Sequence, residues 1–265
     1  MSLSELKDSI KSIAALEKAT RAMRALSISL HSSLKRNLDY VKKCIHIIHS
    51  IQSLNRNNNN NNKINNTNTL YIIIGSQRGL CGQFNKDMIY HFNDIKYKKK
   101  NNDIILVVGK KICSMVSTTN DKSIFFVPLL KKNTINEIIS IIDKYIYEYN
   151  IYSIVALYTH APTLFSKQIS IEHFSDNNTI KDNFDVGHFQ KEEINKAIKT
   201  IHKNLFLKKI FYESLRAEQA ARFIAMDKAW NNSTDIIHEK SITLNKKRQA
   251  LINRQLEDLS TSKLI

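Results

Sequence analysis

The five glycines and two prolines of this 265-residue chain all fall between positions 75 and 187, at Gly75, Gly79, Gly82, Gly109, Pro128, Pro162 and Gly187. Both ends are free of the residues that most readily stop a helix. In the first stretch, apolar side chains recur at Leu3, Leu6, Ile10 and Ile13, then at Met23, Leu26, Leu30, Leu34, Leu38, Val41, Ile45 and Ile48. Steps of three and four place them on one helix face. The pattern predicts a helix from about Ser4 to Leu54, roughly 75 Å long at 1.5 Å per residue, with Ser4 and Asp8 supplying acceptors and negative charge at its N-terminal end. From His188 to Ile265 nothing breaks a helix either, and Ala197, Ile201, Leu205, Ile210, Leu215, Ala221, Ile224, Ile236, Ile242, Leu251, Ile252, Leu256 and Leu259 supply apolar steps. A second helix of up to about 110 Å follows. Its weak point is the run of poor helix formers Asn231, Asn232, Ser233 and Thr234, where an irregularity is expected. Two long helices at opposite ends of one chain most simply pair as an antiparallel coiled coil.

The middle has another texture. Leu70–Ile74, Ile104–Val108, Ile124–Val127 and Ile151–Tyr158 are short β-branched and aromatic runs that read as buried strands. Amphipathic stretches near Asn85–Lys96 and Thr134–Tyr149 separate them, so the order is strand, helix, strand, strand, helix, strand, and a parallel-type sheet follows. The fold class is therefore α/β: a long antiparallel coiled coil with an inserted Rossmann-like α/β domain. The expected organisation is an N-terminal helix over 1–56, an Asn-rich linker over 57–69, the α/β domain over 70–187 and a C-terminal helix over 188–265. The linker includes six consecutive Asn at 57–62 and offers little apolar surface to bury. So few turn residues argue against an all-β fold.

Lys and Arg number 40 against 24 Asp and Glu, a net charge of +16 that favours an anionic partner. The excess is spread over both helical ends and the middle, with few aromatics interleaved in the helices. That pattern suits a solvated or acid-facing rod better than a nucleic-acid binder. No apolar run approaches the ~20 residues of a membrane span, and the first residues mix acids and bases unlike a signal peptide. Cys44, Cys81 and Cys113 are odd in number and lack any CxxC spacing, which suggests neither a disulfide framework nor a zinc site.

The loop Gly75–Gly82 sits between a strand and a helix, where glycine-rich loops cradle phosphate. It lacks the Lys and Ser or Thr of a Walker loop and the spacing of the dinucleotide fingerprint, so a tight turn needing positive φ is the better reading. Cys81 in that loop has no evident base, His91 being the nearest histidine in sequence, and reads as a small buried thiol. His46 and His49 stand one turn apart and suit a metal, with no third ligand evident. A basic coiled-coil nucleic-acid-binding or scaffold protein and a Cys81-dependent α/β enzyme are the alternatives that the residues leave open.

Ile13–Leu30 (IAALEKATRAMRALSISL), Ile74–Asn85 (IGSQRGLCGQFN), Glu213–Met226 (ESLRAEQAARFIAM) and Lys247–Leu259 (KRQALINRQLEDL) together resemble the gamma subunit of F-type rotary ATP synthases. MRALS followed by GLCGQFN is similar to the alternative, N-type branch. The resemblance implies a central-stalk shaft with no catalytic residue and no cofactor of its own. Its implied partners are the alpha and beta subunits of the catalytic ring, the epsilon subunit and the membrane c-ring, and its implied location is the cytoplasmic face of a bacterial inner membrane, peripherally. Proton or sodium coupling is set in the membrane rotor. By position, Met23, Arg24 and Arg222 match the shaft segment near the beta subunits, and Arg248, Gln249, Asn253 and Arg254 match the upper contact, which the resemblance places opposite Met23. Leu30 and Asn253 depart from the usual Lys and Thr of standard members.

Overall fold

The computed structural model describes residues 2–54, 68–117, 121–128, 134–175 and 188–262. The elements in chain order are α1 (Leu3–Leu54), β1 (Asn68–Ile74), α2 (Phe84–Lys98), β2 (Ile104–Val108), α3 (Lys110–Val116), β3 (Ile124–Val127), α4 (Ile135–Glu148), β4 (Ile151–His160), β5 (Gln168–Ser175) and α5 (His188–Ser262). The Asn-rich tract over 57–67 lies outside the described residues, and the linker expected to reach position 69 instead ends in β1.

The chain divides into two compact units, and the division falls within the helices rather than at their ends. The helices themselves run to Leu54 and from His188, close to the bounds of 56 and 188 expected for them. The α/β unit takes residues 28–222, including the second part of α1 and the first part of α5. Its five strands run in the order β3-β2-β1-β4-β5, parallel throughout except for the antiparallel pairing of β5 on β4. Alternate residues feed two cores. Leu70, Ile72, Ile74, Leu106, Val108 and Ala156 pack with α4 and with Phe206, Leu207, Ile210 and Phe211 of α5. Ile73, Ile105, Val107 and Leu157 pack with Met88 and Phe92 of α2 and Ile112 and Val116 of α3. Cover on both faces is what a parallel sheet requires, and it is why its strands read as unbroken apolar runs. The four expected strands are present. The two elements missed are α3, only seven residues long, and β5, whose sequence QISIEHFS alternates polar with apolar and forms a sheet edge.

The helical unit comprises residues 1–27 and 223–265. Its α1 end is capped by Ser2 and Glu5 rather than Ser4 and Asp8: Glu5 N donates to Ser2 Oγ at 3.1 Å and Ser2 N donates to Glu5 Oε2 at 2.8 Å. This reciprocal arrangement is a capping box that satisfies two otherwise orphaned donors. No irregularity occurs at Asn231–Thr234. Ser233 Oγ donates to Ala229 O and Thr234 Oγ1 to Asn231 O, both at 2.7 Å, so the polar side chains are satisfied within α5 and the helix continues.

Candidate functional site

In the helical unit the two strands of helix run antiparallel. Arg24 pairs with Asp227 at 2.7 Å, while Glu17, two turns earlier, accepts from Trp230 Nε1 at 2.6 Å. The Arg24 guanidinium also lies over the Trp230 ring, 4.6 Å from its centroid, adding a cation–π contact. This register corrects the expected opposition of Met23 and Gln249. Gln249 lies about 33 Å, roughly six turns, beyond the level of Asp227.

The seam also differs from the apolar stripe read in the sequence. Leu6, Thr20 and Ser27, spaced by fourteen and seven residues, are buried, whereas Leu16, Met23 and Leu26 are 54%, 41% and 57% exposed. Thr20 and Ser27 suit a close helix contact because they are small and their hydroxyls donate to the carbonyls of Leu16 and Met23. On α5, Phe223, Met226 and Ser233 are buried, while Ile236, Ile242, Leu251, Ile252, Leu256 and Leu259 are 40–60% exposed. Arg248, Gln249, Asn253 and Arg254 are exposed among them. The unit thus buries the hydroxyls of Thr20, Ser27 and Ser233 beside Leu6, Phe223 and Met226, and exposes many aliphatic side chains together with basic ones. No described helix is long and apolar enough to cross a membrane.

In the α/β unit the loop after β1 occupies the place where doubly wound folds bind phosphate. Here an internal carboxylate takes that role. Gln77 N donates to Glu218 Oε2 at 3.0 Å, Ser76 N donates to Asn85 Oδ1 at 2.9 Å, and Arg222 holds Glu218 from the other side. A Cβ at Gly75 would stand 2.4 Å from Ile112 Cβ, so glycine is required there for close packing; positive φ belongs to Leu80, at 61°, and Gly82, at 58°. Cys81 is buried beside Phe84, Ala217 and Ala220, and burial pushes its thiol pKa up. That is the opposite of nucleophile activation. Arg222, which the resemblance places at the ring, has a side chain only 12% exposed and is engaged by Glu218 and Gln219. Within this unit it braces the loop through Glu218.

Further along the same helix, Glu213 accepts from Lys42 at 2.8 Å and lies 3.2 Å from His160 Nδ1. Burial raises its pKa, but the Lys42 hydrogen bond and charge, the Tyr158 hydroxyl and His160 together hold it below the ordinary carboxyl value. Arg216 donates from Nε to His31 Nε2 at 3.0 Å and from its other arm to Pro162 O at 2.7 Å. His31 must then be neutral, and burial followed by the charges of Arg216 and Lys35 lowers its pKa. Neither the Glu213 network nor the Arg216 pair was legible beforehand, because each joins residues from distant parts of the chain.

A family model described as ATP synthase matches residues 2–262. The chain is similar to the ATP synthase gamma chain of Rickettsia akari, 28% identical over 284 residues that cover 97% of this chain and 96% of that one. It is also similar to the ATP synthase gamma chain of Clostridium novyi, 26% identical over 199 residues covering 72% and 70%. Among solved structures, a chain from the Euglena gracilis mitochondrial ATP synthase (OSCP/F1/c-ring, rotational state 3) has a TM-score of 0.68 at 14% identity, with 98% of this chain and 93% of that chain covered. A chain of the rotor of the same assembly in rotational state 1 has a TM-score of 0.67 at 13% identity, covering 94% and 98%. With a match spanning both terminal helices and the sheet between them, the chain belongs to the ATP synthase family.

Proposed function

We propose that the chain is the gamma, central-stalk subunit of a rotary ATP synthase, and that its helical unit is the shaft turning within the ring of alpha and beta subunits. The observation that carries this reading is the inverted seam: Thr20 and Ser27 buried, Leu16, Met23 and Leu26 turned outward. A helix pair with aliphatic side chains along its outside calls for a surrounding surface. Exposed Arg248 and Arg254 add cations suited to acidic loops on that surface. Met23, Arg24, Arg248, Gln249, Asn253 and Arg254 are the proposed ring contacts, with Arg222 acting from within by holding the loop after β1.

The chain has no catalytic step to perform in this role. A shaft that touches the catalytic beta subunits unequally shifts each between conformations of different nucleotide affinity, by an amount equal to its differential contact energy. Long helices without breakers transmit that bias. The epsilon subunit and c-ring are the partners at the membrane end, and the complex places the chain peripherally at the cytoplasmic face. Neither the nucleic-acid reading nor the Cys81 enzyme gains support.

Coexpression with alpha and beta subunits tests the proposal. The three should copurify as an ATP-hydrolysing complex while the chain alone hydrolyses none. Changing Leu251, Ile252, Leu256 and Leu259 together to Ser should leave unfolding of the isolated chain unchanged and weaken recovery of the ring by about tenfold, equivalent to roughly 1.4 kcal/mol. Undiminished recovery would overturn the assignment of that face.

A further inference from the structure

Within the α/β unit, His49 of α1 and His202 of α5 face each other with their Nε2 atoms 3.2 Å apart and their rings at 84°. His202 is half-buried and is held by Phe174 of β5, whose ring lies 5.3 Å from it and in turn packs on Phe206. Its orientation is fixed by packing, while His49 stays open to solvent. The separation that suits a hydrogen bond also suits a chelate. Two imidazole nitrogens about 2.0–2.1 Å from one metal are about 3.3 Å apart at the tetrahedral angle and about 2.9 Å apart at a right angle.

We propose that His49 and His202 form a bidentate site for a divalent transition-metal ion of the zinc, nickel or copper class, which clips α1 to α5. Both Nε2 lone pairs bind the metal. The imidazole that had donated from Nε2 carries its proton on Nδ1 instead, exchanged through water, so a neutral pair binds without net proton release. Among the described residues no group of three or more His, Cys, Asp or Glu is placed to hold an ion, so water completes the coordination. His46 and His49, the pair suggested by sequence, lie along one helix; the pair brought face to face belongs to two. The proposal is independent of the shaft function, since it concerns only this contact between α1 and α5.

The test uses the untagged full-length chain titrated with zinc, nickel or copper salts, followed by calorimetry and thermal unfolding. One equivalent should bind, copper most tightly in keeping with the general order of divalent affinities, and the unfolding temperature should rise with metal. His49→Ala, at an exposed position, should abolish both effects, as should His202→Ala, while His46→Ala should retain them. Binding that survives His49→Ala would assign the metal to another of the nine histidines and overturn the proposal, as would a chain whose unfolding ignores metal.

Discussion

Two stretches of α5 share one backbone conformation and little else. Between 206 and 221, Phe206, Leu207, Ile210, Phe211, Leu215, Ala217, Ala220 and Ala221 are all buried, Glu213 and Glu218 are buried with their charges paired, and Arg216 is buried with its guanidinium donating to His31 and Pro162 O. From 234 to 260 no residue is buried, although Ile236, Ile242, Leu251, Ile252, Leu256 and Leu259 recur at helical spacing. A helix of this length draws its stability from packing more than from propensity. The first stretch meets that need inside its own unit, whereas the second leaves its apolar side chains exposed.

The sharpest way to break the comparison is to truncate one aliphatic or aromatic group in each stretch. Phe211→Ala should destabilise the isolated chain by about 3–5 kcal/mol, whereas Leu256→Ala should cost less than about 0.5 kcal/mol, both read from urea unfolding. Equal losses would mean that the outer stretch is core after all.

Glu213→Gln comes next. Leaving Lys42 and His160 without their carboxylate should cost about 1–3 kcal/mol at neutral pH. Because the folded pKa of Glu213 lies below its ordinary value of 4.5, its contribution is complete above that pH and is lost as the pH falls through the folded pKa. The difference between parent and variant should therefore close under acid, and a pH series of unfolding midpoints checks the sign.

His31 sharpens the same point nearer neutrality. Its folded pKa lies below 6.5, so the Arg216 bond contributes fully above that value and weakens as the pH drops towards the folded pKa. Replacing His31 with Ala should cost about 1 kcal/mol at pH 7.5 and flatten the slope below pH 6.5, measurable in the same series.

The smallest effect belongs to the helical unit. Arg24 and Asp227 have side chains 30% and 35% exposed, so Asp227→Asn should cost under about 1 kcal/mol in the isolated chain. A double-mutant cycle with Arg24→Gln measures the coupling directly, and a value as large as that of a buried ion pair would erase the contrast between the units.

By itself, the sequence determined where helix and strand form. The confinement of Gly and Pro to 75–187 predicts the two long helices, and the β-branched runs predict four of the five strands, because breakers and apolar periodicity act over a few residues. It also carried four ordered motifs that resemble the gamma subunit. Tertiary structure decided which helix residues are buried. Thr20 and Ser27 enter the seam in place of Met23 and Leu26, since a close helix contact selects by size and register as well as by polarity. It also decided the partners of Glu213, Arg216, Glu218, His49 and His202. Those pairings join residues from separated segments, and only the folded chain brings the charges close enough for low local dielectric to make them matter.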